Sequence, residues 1–308
     1  MARRVACTSA GARLMRSHTR STTPDVSVVV PTTGGPLLGG CLDSLAAGSK
    51  WPARLIVVHQ GGGRQEVADW MTALRARGMD AVHISMPATG ISAATNRGLA
   101  HVDTSCVAVT HDDCRVERDW LERIAATLPE IGEAVLTGRV LPEGGGVVLT
   151  IKTDTHPAVY SAPLLDGDVL FPPNMAFPMR VLARVGPFDE HPSLAAAGED
   201  NDWAHRALRG GVRIVYDPSI AVSHLARHHA HDLPALYRRY SRGQGAFYGK
   251  WLRQGDTFIA RRAIRDLVRA PWLLARGLAT SNRDLVAMGE GEIAGLLPGI
   301  LAGLRNRP

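Results

Sequence analysis

The sequence is short of cysteine and of long apolar runs, and each shortage excludes something. Four cysteines (Cys7, Cys41, Cys106, Cys114) in 308 residues show no C-x-x-C spacing. This speaks against a disulfide framework or a structural zinc site and fits a reducing cytosol. No stretch reaches the about 18 consecutive apolar residues of a spanning helix. The best candidate, Ile293 to Leu304, is too short and contains Pro298, so no transmembrane helix is predicted. Internal repeats are missing too, which removes solenoid architectures. What remains is an ordinary globular composition, with 45% hydrophobic residues and length enough for one large domain with an appendage.

Acid is absent from residues 1–24, which carry five Arg. Residues 226–308 hold 14 Lys or Arg against six acids, whereas residues 25–225 hold 16 bases against 23 acids. The net charge of +6 therefore combines an acidic body with two basic ends. Such asymmetry suggests an anionic partner for the C-terminal part. Nucleic acid is not expected, because no recognised binding motif accompanies the charge; an anionic membrane surface fits better. The Arg/Ser/Thr-rich residues 1–24 read as a disordered basic tail.

From Val26 the pattern is strand–helix alternation. Strands are predicted at Val26–Val30, Leu55–Val58, Ala81–Ile84 and Cys106–Thr110. Helices are predicted at Leu38–Ala47, Val67–Ala76 and Ser92–Ala100. This spacing implies a mostly parallel sheet with helices on both faces. The alternation then loosens. A helix at Trp120–Leu128 is expected to stop at Pro129, with a strand at Ala134–Val140 and a possible partner at Val147–Thr150. Helices at Met179–Val185 and Asn201–Arg209 and a strand at Val212–Tyr216 follow. Helices dominate beyond Asp232, and Gly243 and Gly245 are expected to break the one carrying Arg238, Arg239 and Arg242. The predicted parts are thus residues 25–225, with a nucleotide half (25–115) and an acceptor half (116–225), and a basic helical extension (226–308).

The fourth strand, Val107-Ala108-Val109-Thr110, ends abruptly in His111-Asp112-Asp113. Ligands of open α/β sheets sit at the carboxyl ends of such strands. Two carboxylates placed there call for positive charge, for which a divalent cation is the usual source.

Five features stand in one order: Val26–Thr32; a second strand ending in His59-Gln60; Gly90 to Gly98; Asp112-Asp113; and Gly198-Glu199-Asp200-Asn201-Asp202-Trp203 followed by His224. In this order the chain closely resembles the family 2 glycosyltransferases over about residues 26–250. The resemblance implies a GT-A fold: a Rossmann-like, mostly parallel sheet with helices on both faces, here with a C-terminal helical extension. It also implies a nucleoside-diphosphate-sugar donor and Mn²⁺ or Mg²⁺.

Matched motif by motif, the resemblance puts Asp113 and His224 on the metal, with Asp112 near the ribose. Asp200 becomes the catalytic base, with Glu199 orienting it or the acceptor. Pro31, Thr32, Gln60 and Asn96 fall at the nucleotide. Asn174, in Asn174-Met175-Ala176-Phe177, falls at the sugar or acceptor, although a buried turn Asn reads equally well there. Trp203 fits the acceptor side, and Arg239 and Arg242 would close over the diphosphate.

Three departures mark this chain. His111 replaces the first acid of the usual motif, His59-Gln60 replaces the usual acidic end of the second strand, and Thr95 precedes Asn96 where an Arg is common. They bear on the base of the donor, for which a UDP-sugar is favoured. The Gln-x-x-Arg-Trp sequence of processive synthases is absent. The expected acceptor is a saccharide, lipid-linked saccharide or secondary metabolite, taking one sugar with inversion. The rival reading is a non-catalytic nucleotide-sugar-binding protein on the same scaffold. His228, His229 and His231 are expected to be surface or phosphate-facing. Arg261, Arg262, Arg265 and Arg269 alternate with Ile259, Ile264, Leu267 and Val268 in amphipathic spacing. That is either a solvated helix packed on the domain or an interfacial helix on anionic lipid.

Overall fold

The computed structural model describes residues 25–194, 197–225 and 232–305. The basic tail 1–24 and His228, His229 and His231 lie outside the described residues. The first half is built from β1 (Val26–Thr32), α1 (Leu38–Ala46), β2 (Arg54–Gln60), α2 (Gln65–Ala76), β3 (Ala81–Met86), α3 (Ile91–Leu99) and β4 (Cys106–Val109). These strands pair in parallel in the order β3-β2-β1-β4. The order reverses beside β1, so the carboxyl ends of β1 and β4 flank the crevice where such sheets bind ligands. Pro31 is tolerated within β1 because its ladder with β4 ends at Val29↔Val109.

The second half comprises β5 (Cys114–Val116), α4 (Trp120–Ile131), β6 (Ala134–Glu143), β7 (Ala158–Tyr160), β8 (Met175–Pro178), α5 (Met179–Val185), α6 (Glu199–Arg209) and β9 (Arg213–Leu225). It continues the same sheet as β4-β8-β6-β9-β5, with β7 also on β9. β8 is antiparallel to both β4 and β6, and β5 is antiparallel to β9. β9 runs unbroken through Asp217-Pro218, because a register shift against Gly138/Arg139 absorbs the proline. The expected strand at 147–150 does not form: Val147 holds an isolated bridge position, and Lys152, just beyond the segment, bridges Val140. α4 runs through Pro129, which sits in its last turn and there costs little more than one helical hydrogen bond.

Alternation along β1 and β2 sorts the core. Val28, Val30, Leu55 and Val57 pack with α1, α2 and α4 on one face. Val29, Ile56 and Val58 pack with α3, α5 and α6 on the other.

Three helices complete the chain: α7 (Leu233–Leu252), α8 (Thr257–Ala279) and α9 (Arg283–Arg305). α7 corrects the expectation of a broken segment, being continuous through Gly243 and Gly245. Its glycines are sites of close backbone approach. A Cβ on Gly243 would strike Ala197 O, and one on Gly245 or Gly249 would strike the backbone of α9 at Leu296 or Ile300. α9, at 23 residues, is long and apolar enough by length and composition to cross a membrane, with 44% of that window buried. The helix begins ten residues before the apolar segment Ile293–Leu304 read from the sequence, and its length and composition by themselves do not make it a spanning helix.

Candidate functional site

The carboxyl ends of β1 and β4 are tied together. The Thr32 hydroxyl donates to Asp112 Oδ2 at 2.6 Å and accepts the Gly34 N–H at 2.8 Å. Asp112 is thereby held at the crevice, and Thr32 shapes the loop that follows β1.

Asp113 is 1% exposed, and its Oδ2 lies 3.1 Å from His224 Nε2. The pairing of β5 with β9 sets Cys114 opposite His224 and so creates this contact. The other ring nitrogen, Nδ1, lies 3.1 Å from Thr150 O. Both edges of the imidazole therefore face acceptor oxygens, and a neutral ring carries only one N–H. If Nδ1 donates to Thr150, a cation is needed between Nε2 and Oδ2. That cation is a proton or a metal ion.

Asp113, Cys114 and His224 place one donor atom each within 4.8 Å of one another. Burial pushes the Cys114 thiol well above its usual range, so it stays protonated. The carboxylate and the imidazole, with diphosphate oxygens, then form a donor set suited to Mn²⁺ or Mg²⁺. The backbone bond to Nδ1 is the kind of outer contact that fixes the tautomer of a ligating histidine.

On the acceptor side, α6 begins at Gly198, whose φ of +115° and closeness to Gly243 O (2.6 Å from an added Cβ) admit only glycine. Glu199 and Asp200 follow at once. Both carboxyls are pushed up: Glu199 by burial and then by Asp200, Asp200 by burial and then by Asp168. Glu199 Oε2 is buried without a partner. Asp200 Oδ1 accepts the Asn201 N–H at 2.8 Å. Glu199 also lines a narrow cleft with Ser92 and Thr95 of α3, His111 and Met175. The first and second halves of the chain therefore meet between His111 and Glu199.

Several sequence expectations change. Asn96 is a staple: its amide donates to Phe188 O and Glu190 Oε1, and its Oδ1 accepts the Phe188 N–H, all at 2.8 Å. Its polar atoms are spent on joining α3 to the segment after α5, so it is not placed to read a nucleotide. Asn174 is the buried turn residue, not a sugar contact. It is 1% exposed, accepts from Trp120 Nε1 and donates to Arg139 O and Ile220 O. Trp203 is fully buried between Phe177 and Phe188 and bonds to Gly186 O, which removes it from the acceptor surface. Asp202 anchors α6 to α7 through Lys250 and Trp251 Nε1.

Gln60 is partly committed, since its Oε1 accepts the N–H groups of Thr89 and Gly90. Pro31 is buried at the end of β1. Arg239 and Arg242 are exposed on a continuous α7, so the glycine-hinged closure over a diphosphate is lost. Arg239 lies over the Tyr240 ring, and Tyr240 itself feels the charges of Asp200 and Glu199.

Tyr240, Asp168 and Arg262 were not singled out as site residues from the sequence. Arg262 of α8 bonds Asp168 at 2.6 Å, and Asp168 acts on Asp200. Only the spacing of acids in 166–168 hinted at this link.

Comparison with known proteins gives the family and the fold. The family described as "Glycosyltransferase like family 2" matches residues 24–246. A Pre-mycofactocin glycosyltransferase of Mycobacterium tuberculosis (strain H37Rv) is 29% identical over 226 residues, 70% of this chain and 44% of that protein. The chain thus spans less than half the length of that curated relative. Among solved structures, a mannosyltransferase of Pyrobaculum calidifontis, PcManGT in complex with GDP-Man and Mn²⁺, superposes with TM-score 0.61. It is 17% identical, covering 92% of this chain and 88% of that one. S. aureus TarS 1-349 in complex with UDP-GlcNAc gives 0.55 at 15% identity, covering 87% and 90%. At these identities the structural likeness shows the fold. Taken with the matched family, it shows that the chain belongs to the family 2 glycosyltransferases and has their GT-A fold.

Proposed function

We propose that the chain is an inverting, metal-dependent glycosyltransferase that moves one sugar from a nucleoside diphosphate to an acceptor hydroxyl. The observation that carries this reading is the Asp113–His224 pair, 3.1 Å apart with the far ring nitrogen against Thr150 O. A bound Mn²⁺ or Mg²⁺ supplies Lewis-acid stabilisation of the leaving diphosphate. Asp113 and His224 would hold it.

Asp200 removes the proton of the acceptor hydroxyl while that oxygen forms its bond to the anomeric carbon. The bond from that carbon to the phosphate oxygen breaks, and its electron pair leaves with the nucleoside diphosphate. Attack from the opposite face inverts the centre. Burial suits Asp200 to this role, because a raised pKa makes a carboxylate a stronger base. Gln60, its carbonyl already used, would offer a base only N–H donors, which suits a carbonyl of uracil, thymine or guanine; a UDP-sugar is the donor we favour. The acceptor is a saccharide, a lipid-linked saccharide or a secondary metabolite.

The test is calorimetric titration of UDP, GDP and dTDP, with and without Mn²⁺, into the protein and its Asp113→Ala variant. Metal-dependent binding of one nucleotide, lost in the variant, supports the reading. Binding that ignores both metal and variant removes the metal from it. Donor binding with no turnover under any condition favours a non-catalytic scaffold.

A further inference from the structure

α9 has two faces of opposite kind. Gly291, Gly295, Gly299 and Gly303, four residues apart, press on the backbone of α7 from Tyr237 to Lys250. The other face carries Ile293, Ala294, Leu297, Pro298, Leu301 and Leu304, all exposed. From Ile293 to Leu304 no exposed position bears a charge or a hydrogen-bonding side chain. This is a stripe roughly 18 Å long at the helical rise.

α8 lies antiparallel beside it. Gly277 meets Val286, Gly289 meets Leu274, and Arg269 bonds Glu292 at 2.6 Å. On the outside of α8, Ile264, Val268 and Trp272 follow each other at four-residue spacing, 62%, 67% and 54% exposed. Most of the large exposed apolar side chains among the described residues belong to these two helices. Isolated exposed leucines are ordinary, but rows of exposed apolar side chains at helical spacing on two neighbouring helices are not.

The rim of this face is cationic. Arg261, Arg276, Arg283 and Arg305 are exposed on α8 and α9, against Asp284 and Glu290. Arg276 lies 5.1 Å over the Trp272 ring. A half-exposed Trp beside an Arg suits the boundary between lipid headgroups and acyl chains. A second copy of the chain fits less well, because a two-fold contact would set one arginine rim against the other. A spanning role for α9 fits less well too. Its glycine face is locked on α7, and α7 is locked on Ala197 at the start of the catalytic turn.

From this face we infer that the α8–α9 hairpin docks the enzyme on a bilayer surface bearing anionic lipid. The apolar stripe enters the headgroup boundary and the arginines contact lipid phosphates. The inference holds whichever sugar acceptor the enzyme uses.

The test is co-sedimentation of the full chain with large vesicles of phosphatidylcholine alone, or with roughly one third phosphatidylglycerol. Sedimentation is expected with the anionic vesicles and not with the neutral ones. Trp272→Ser combined with Leu297→Ser and Leu301→Ser should lower partitioning at least about tenfold, since each loses buried apolar area. Arg261→Gln with Arg276→Gln tests the charge independently of the apolar core and should reduce both binding and its salt dependence. UDP binding by each variant reports that the catalytic domain is intact. No sedimentation with anionic vesicles, or equal sedimentation of the parent and both variants, would overturn the inference. A lipid-free dimer in analytical ultracentrifugation that the serine variant abolishes would overturn it as well, by assigning the face to a second copy.

Discussion

His224 and Asp113 are held 111 residues apart in sequence and 3.1 Å apart in space by the antiparallel register of β5 on β9. The register fixes the pair without any ligand, so the proposed metal site is preorganised. His224→Ala should abolish the Mn²⁺-dependent part of UDP binding and leave the weak metal-free part unchanged. Calorimetry at fixed UDP with increasing Mn²⁺ measures this. Retention of full Mn²⁺ enhancement in the variant would remove His224 from the donor set.

The ordering of β1 to β4 and the position of Asp112-Asp113 were legible because parallel βα units repeat a simple pattern: an apolar run, a turn, an amphipathic helix. The acceptor half was less legible. β5 and β7 are three residues each, too short to show a period, and β9 hides a register shift at Pro218. α7 was misread because glycine is a helix breaker by local propensity, whereas here Gly243 and Gly245 are small enough to let backbones touch. Asn96 and Asn174 were assigned to ligands because sequence shows an amide and not its partners. Only the fold reveals that those amides are already bonded.

Asn174 gives a direct check on that correction. Asn174→Ala would strand the Trp120 indole N–H and two buried carbonyls, Arg139 O and Ile220 O. A loss of about 2–4 kcal/mol in folding stability is expected, read by urea denaturation. A variant with native stability and a raised KM for donor or acceptor would restore Asn174 to the site.

Gly243→Ala should act through the catalytic turn. The added methyl meets Ala197 O, one residue before Gly198, so α7 and the start of α6 must part. Overpacking of this kind costs roughly 1–3 kcal/mol. A lower Tm together with slower turnover is expected, because Glu199 and Asp200 ride on the same turn. If Tm falls while turnover at saturating substrate stays unchanged, the turn is not coupled to the helix.

Glu199 is a source of instability at neutral pH. Its folded-state pKa is raised by burial and by Asp200, so ionising it costs more in the folded chain than in the unfolded one. Its stabilising contribution is complete below the ordinary glutamate pKa and is lost as pH rises through the raised value. Glu199→Gln should therefore raise Tm at pH 8, by roughly 2–4 °C for each kcal/mol recovered. The advantage should shrink towards pH 4. Calorimetric melting across that range tests the sign, and a variant less stable at pH 8 than at pH 4 relative to the parent contradicts it.

With Asp200 as the proposed base, Asp200 and Asp168 together are expected to set the pH response of catalysis. Asp200→Asn should lower turnover roughly a hundred- to ten-thousand-fold while UDP binding stays within about twofold, because the donor contacts lie across the cleft. Asp168→Asn is the finer probe. The negative charge of Asp168 raises the pKa of Asp200 after burial has done so, and Arg262 holds that carboxylate in place. Removing the charge lets the Asp200 pKa fall. The base then stays ionised to lower pH, so the acidic limb of the kcat profile should move down. An unmoved limb would mean that the limb reports another group, and a limb moved upward would mean that Asp200 is not the base.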